Sequence, residues 1–278
     1  MSGTLPCADV PLRYQAFVKA EALLACLSPR YQPWRPDRLV PDLSAHLLAE
    51  ADVRGSALRA KVTAPEAMAG VWLSRVRVLA EWFVAANAVA PFKALQPADL
   101  CQLAALSEDI ARLPQLGQRL LVRGIVLVHE RGVPGMKLDS CVFRLPCSRV
   151  VVGLSLRDGR LDHYWMALMR ALAHVVLHPG HLHPAVLEDI DLPAGRGGAP
   201  EVDLLAHDAL VAPDDWHAWP QREGPTERDV VRFASRVGVA PAIVAGRARR
   251  ELGRPELLHD LVHGVDVRKV LQAGGIGH

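Results

Sequence analysis

Residues Leu154–His178 read LSLRDGRLDHYWMALMRALAHVVLH, and this stretch decides the fold. From Asp162 onward the side chains are mostly apolar, and the run stops at Pro179, so we predict a buried α-helix over residues 162–178. Asp162 is a residue type that caps helix N-termini. The apolar run is interrupted by Arg170 and is too short to span a bilayer.

Short β-branched runs precede this helix, and helical patterns lie on both sides of them. Residues 124–128, 141–145 and 149–153 are separated by Gly, Pro and Asp and predict a small sheet. Helical patterns precede the sheet, and others follow from Glu201, Thr226 and Pro241. The order of helices, small sheet and helices predicts an α+β fold.

The composition is that of a globular protein. Half of the residues are hydrophobic, 22% are charged and the formal net charge is +2, which favours neither disorder nor a strongly basic nucleic-acid surface. The five cysteines form no C-x-x-C pair, and the N-terminus has no secretory pattern. We therefore expect reduced thiols, a cytoplasmic location and no membrane partner.

Three segments together resemble the ImmA/IrrE family of zinc metallopeptidases, especially its long form fused to HigA-type antitoxin regulators. They are the quoted stretch, Glu201–Pro213 (EVDLLAHDALVAP) and Phe233–Arg247 (FASRVGVAPAIVAGR). The likeness covers about residues 68–272. It implies a zincin-like minimal metallopeptidase fold, with a central active-site helix against a small sheet and a C-terminal helical cap.

The resemblance also implies a domain division. Residues 1–65, with their own apolar helical patterns, match nothing in the family and form an N-terminal region of unknown role. Residues 66–278 form the peptidase-type domain. In that domain the sheet and central helices occupy residues 120–213, and the helical cap occupies residues 226–272.

The family's site is degenerate in this sequence. A zinc peptidase of this kind uses H-E-x-x-H on one helix, because two histidines at i and i+4 share a face and the Glu acts as general base. The resemblance places Arg170 and Ala171 at the first His and the Glu, His174 at the second His, and Glu201 at the third ligand. A guanidinium cannot ligate zinc, and a methyl group cannot accept a proton. We predict no catalytic residue and no cofactor, with zinc bound only if the family site is retained.

Two questions about this site stay open on the sequence. Arg170 could replace the metal's charge by forming a salt bridge with Glu201, or it could extend to solvent from a decayed pocket. His174 and His178, again at i and i+4, could form a shifted metal site with Glu201 or Glu188 added. Histidines near a helix end also cap carbonyl groups or lie on the surface.

Three functions follow from these alternatives. The first is a regulatory pseudopeptidase that binds a protein partner, which the resemblance implies to be a repressor, an antitoxin-like factor or a phage or defence regulator; Trp216 and Trp219 are candidate partner-binding residues. The second is an active zinc metallopeptidase with rearranged ligands that cleaves a transcriptional regulator. The third is a DNA-binding regulator that uses residues 227–252, which include the helix-turn-helix-like segment 233–247. Its candidate phosphate contacts are Arg247, Arg249 and Arg250.

Overall fold

The computed structural model describes residues 10–25, 36–50, 64–191, 199–219 and 224–274 of the 278-residue chain. Internal contacts divide the chain into two units. The first comprises Met1–Asn87 with Glu130–Lys137, and the second comprises Ala88–His129 with Leu138–His278. The sequence predicts a boundary between residues 65 and 66, whereas the contacts place residues 66–87 in the first unit. The proposed roles of residues 1–65 and 66–278 remain predictions.

The described residues of the first unit form three helices: α1 (Val10–Ala25), α2 (Pro36–Glu50) and α3 (Ala64–Ala86). Their shared core consists of small and branched side chains, which allow the helices to approach closely. Its buried members are Ala20, Leu23, Leu43, Ala67 and Val71. This core explains why α3 belongs with the N-terminal helices.

The second unit is built around a four-stranded mixed sheet of β1 (Ile125–His129), β2 (Ser140–Arg144), β3 (Val150–Leu154) and β4 (Val186–Glu188). The strand order is β1-β3-β2-β4. β1 pairs with β3 in parallel, while β2 pairs in antiparallel fashion with both β3 and β4. The three strands predicted from the sequence are confirmed, and the three-residue β4 was not predicted.

The predicted central helix is α6 (Leu161–Leu177), and fourteen of its seventeen residues are buried. It lies in one hydrophobic core with Val142, Val152 and Leu154 of the sheet. The residue type of Asp162 suggested an N-cap, but the N-cap of this helix is Arg160. Asp162 instead lies in the first helical turn, where its carboxylate accepts hydrogen bonds from the Arg160 guanidinium at 3.0 and 2.6 Å.

The remaining helices of the second unit lie before the sheet and after α6. They are α4 (Pro97–Ala104), α5 (Leu116–Leu121), α7 (Pro200–Leu210), α8 (Pro213–Ala218), α9 (Glu227–Val237), α10 (Pro241–Leu252), α11 (His259–His263) and α12 (Val267–Ala273). Two 3-10 segments, Ala105–Glu108 and Ile110–Gln115, separate α4 from α5. The α+β class is therefore confirmed. Across the described ranges, no helix combines the length and apolarity needed to cross a membrane.

Candidate functional site

Two ionisable side chains lie on one buried face of α6. Arg170 and His174 are one helical turn apart, and their side chains are only 6% and 8% exposed. A buried guanidinium retains its charge and must find acceptors inside the protein. The prediction that Arg170 extends to solvent from a decayed pocket is therefore wrong.

Glu188, at the end of β4, supplies the carboxylate that both side chains contact. Its Oε2 lies 2.6 Å from Nη2 of Arg170, and its Oε1 lies 2.6 Å from Nε2 of His174. The pairing of Glu188 with Ser140 of β2 fixes its position, and its side chain is 5% exposed. One carboxylate thus connects two successive turns of α6 to the edge of the sheet.

A second carboxylate reaches Arg170 from α7. Oδ1 of Asp203 lies 3.1 Å from Nε of Arg170. The N–H at Nε is not directed at that oxygen and makes no hydrogen bond, so this contact is an ion pair only. Arg170 therefore holds α6, β4 and α7 together through charge.

The predicted salt bridge between Arg170 and Glu201 is wrong. The Glu201 side chain is 55% exposed, and its Oε1 lies 3.4 Å from Nε2 of His178. The reason is helical geometry: residues two positions apart on a helix point in very different directions. Asp203 faces α6, so Glu201 on the same helix faces solvent.

The site does not fit the zinc centre that the resemblance implies. The methyl group of Ala171 is fully buried and cannot act as a base. His174 and Glu188 are two potential ligands, but a catalytic zinc site needs three protein ligands, and a guanidinium already contacts Glu188. Within the described ranges, no group of three or more His, Cys, Asp or Glu side chains is arranged to hold a metal ion.

The two histidines of the proposed shifted site, His174 and His178, continue into His181 toward the surface. The rings of His174 and His178 have centroids 6.0 Å apart, and those of His178 and His181 are 6.5 Å apart. Glu188 lies against His174 and Glu201 against His178. The two carboxylates are therefore each paired with a different histidine.

Trp216 and Trp219 are part of the core of the second unit. They are 2% and 8% exposed, and Trp219 stacks on Phe233 with centroids 4.6 Å apart. The indole N–H of Trp216 donates to Glu251 at 2.9 Å. In this structure neither ring presents the exposed aromatic surface that we predicted for partner binding, because α9 and α10 cover them.

The helix-turn-helix-like segment forms α9 and α10, joined through Gly238 in the left-handed conformation (φ 74°). The face of α10 that bears Ala242, Ile243 and Ala245 is buried in the core of the second unit, which agrees with a packing role. DNA binding through this segment stays a prediction.

The three arginines proposed to contact DNA differ in their surroundings. Arg247 lies over the Trp216 ring at 4.2 Å and pairs with Glu251 at 2.8 Å. Arg249 donates a hydrogen bond to the carbonyl of Pro255. Arg250 is exposed.

A second charged cluster was not foreseen from the sequence. Arg157 contacts Asp139 at 2.9 Å, Asp191 at 2.8 Å and Asp189 at 3.5 Å. Burial raises the pKa of Asp139 to about 6, against the opposing effects of the Ile190 N–H and the Arg157 charge. Nothing in the local sequence marks these residues, since they meet only when the loops after β3 and β4 reach the start of β2.

A buried histidine–tyrosine pair was also not foreseen. Nε2 of His129 on β1 lies 2.9 Å from the hydroxyl of Tyr164 on α6. Burial lowers the pKa of His129 to about 4, so its ring is neutral at pH 7. A neutral ring has one donor and one acceptor nitrogen, which suits a hydroxyl partner.

We compared the chain with protein-family models, with curated proteins and with solved structures, and none of them matches.

Proposed function

We propose that this chain is a pseudopeptidase: a regulatory module of the ImmA/IrrE type that binds a protein partner without hydrolysing it. The observation that supports this proposal is the buried Arg170 guanidinium on α6, one turn before His174 and in contact with Glu188. In a zincin-like active-site helix, that position holds the first zinc-binding histidine.

The charges of the site support this interpretation. If a buried site of this kind loses its metal, the carboxylate that bound the metal is left as an unpaired buried charge, which costs several kcal/mol. Here Glu188 is 5% exposed and has Arg170 at 2.6 Å. The guanidinium supplies the positive charge that zinc would otherwise supply, but it cannot activate a water molecule.

The position of Ala171 supports the lack of hydrolysis independently of the metal. In the H-E-x-x-H arrangement the Glu beside the first His accepts the proton of the attacking water. The buried methyl group of Ala171 leaves no base at this position. A protein with this site would act by binding, and the resemblance implies a repressor, an antitoxin-like factor or a phage or defence regulator as its partner.

The first test restores the missing groups. The variant with Arg170→His and Ala171→Glu should bind about one zinc ion per chain through the introduced imidazole, His174 and Glu188, whereas the wild-type protein should bind less than about a tenth of that amount. Zinc content is measured by elemental analysis after zinc loading and desalting. The matched control, Arg170→Met with Ala171→Glu, lacks the first imidazole and should stay near the wild-type level.

The second test concerns binding and hydrolysis. A tagged wild-type chain expressed in its native host should co-purify with an uncleaved protein, and incubating the two with zinc should leave that protein intact. The proposal fails if the wild-type chain carries stoichiometric zinc that is lost in His174→Ala, or if it cleaves the co-purified protein. It also fails if the folded restored variant binds no zinc, because the assignment of α6 would then be wrong.

A further inference from the structure

A small pocket in the second unit opens between the first turns of α6, the end of α7 and the middle of α10. Asp162, His207, Gly246, Arg247 and Arg250 are among its lining residues. Gly246 is needed at its wall, because a Cβ there would lie 2.2 Å from Oδ2 of Asp162. Arg247 and Arg250 are three positions apart on α10 and therefore share a face of this helix.

Both carboxylates around the pocket are already neutralised. Asp162 accepts two hydrogen bonds from Arg160, at 3.0 and 2.6 Å. Glu251 accepts one hydrogen bond from Arg247 at 2.8 Å through one oxygen and one from Trp216 at 2.9 Å through the other. Among the described residues neither carboxylate forms a close ion pair with the Arg250 guanidinium, although the charge of Asp162 acts on it.

Two groups of the pocket have unused hydrogen-bonding capacity. Throughout the described part of the chain, no residue forms a hydrogen bond or ion pair with the Arg250 guanidinium, and none forms a hydrogen bond with the His207 ring. Burial is the main cause that lowers the pKa of His207 to about 4, and the nearby charges of Arg247 and Arg250 lower it further.

The charge of the residues that line the pocket can be counted. The lining residues themselves carry two guanidinium groups (Arg247 and Arg250) and one carboxylate (Asp162), so one positive charge is left over. The surplus favours a ligand with a single negative charge. The guanidinium of Arg250 has the planar fork that matches a carboxylate in bidentate fashion.

We propose that this pocket binds the carboxylate group of a small acid or of a peptide chain end, with Arg250 as the principal contact. A phosphate dianion suits it less well, because its second charge would meet the Asp162 carboxylate without another cation to balance it. This proposal does not depend on the proposed function, since the pocket is lined neither by Arg170 nor by Glu188 and Asp203, the two acids that contact it.

Titrations monitored by the backbone amide signals of residues 246–250 in ¹H–¹⁵N spectra test the proposal. Sodium acetate should cause saturable shifts in about the millimolar range, while sodium chloride at equal ionic strength should not. Arg250→Gln should weaken acetate binding about tenfold or more. The matched control Arg232→Gln removes the same charge from an exposed position on α9 and should leave acetate binding unchanged.

Further titrations identify the source of the carboxylate. Acetyl-Ala-Ala with a free carboxylate should bind, and its amide should not. Tighter binding of this peptide than of acetate would indicate a chain end as the natural ligand, and the reverse would indicate a small acid. The proposal is overturned if chloride reproduces the acetate shifts, if phosphate binds more tightly than acetate, or if Arg232→Gln weakens binding as much as Arg250→Gln does.

Discussion

Replacing Arg170 by Met would remove the guanidinium that contacts both Glu188 and Asp203 while retaining a side chain of similar length. The Arg170 side chain is 6% exposed and Glu188 is 5% exposed, so water cannot easily replace the lost charge. Removing one partner of a buried ion pair costs about 3–5 kcal/mol, because the other charge remains buried and uncompensated. We expect the free energy of unfolding to fall by that amount at pH 7.

Urea denaturation followed by circular dichroism measures this effect, and two further variants define its origin. Adding Glu188→Gln to Arg170→Met removes the stranded charge and should restore about 1–3 kcal/mol. Arg112→Met is the matched control, since Arg112 lies 3.4 Å from Asp109 with both side chains about half exposed, and it should cost less than about 1 kcal/mol. The reasoning is refuted if Arg170→Met lies within about 1 kcal/mol of wild type, or if the double variant is no more stable than the single one.

Three further outcomes follow from the second unit. The folded-state pKa of Asp139, raised by burial to about 6, means that its contribution to stability is complete below about pH 4 and is lost as the pH rises toward 6. Asp139→Asn should therefore flatten the stability profile between about pH 4 and 6, and an unchanged slope would contradict it. The pKa of His129 is lowered to about 4, so its effect on stability has the opposite pH dependence: stability is lost as the pH falls from 6.5 toward 4. His129→Gln should reduce that loss in acid denaturation curves. Gly246→Ala should lower the free energy of unfolding by about 1–3 kcal/mol, because its Cβ would collide with Asp162. The control Gly117→Ala, whose Cβ would have no atom within 4 Å, should not lower the melting temperature. Equal melting temperatures for the two variants would rule out the close approach at Gly246.

The parts of the fold that the sequence predicted are those with long or repeated local patterns. The apolar run of α6 and the β-branched runs of β1, β2 and β3 each contain enough residues to show their period. The cap helices were also marked locally, because Gly238 ends α9 in the left-handed conformation that glycine favours.

The site was harder to predict, because its partners meet only in three dimensions. Glu188 lies on a strand of three residues, which is too short to show a period. The choice between Glu201 and Asp203 as the partner of Arg170 depends on the rotation of α7 about its axis. Trp216 and Trp219 look like surface residues of a polar segment, and their burial depends on α9 and α10 folding over them.

The arrangement of charges around α6 also distinguishes two reasons for the presence of Arg170: stabilisation of the fold by an ion pair, and replacement of the charge of a metal ion. Well-packed apolar side chains at Arg170, Glu188 and Asp203 could be as stable as the buried ions, since desolvation offsets most of the attraction between them. Stability alone therefore does not explain why two acids from β4 and α7 converge on one point beside His174. Acids in such a place require a cation, and a guanidinium satisfies that requirement while excluding the chemistry of a metal-bound water. This is the physical reason for our proposal that the site is a binding scaffold and not a hydrolytic centre.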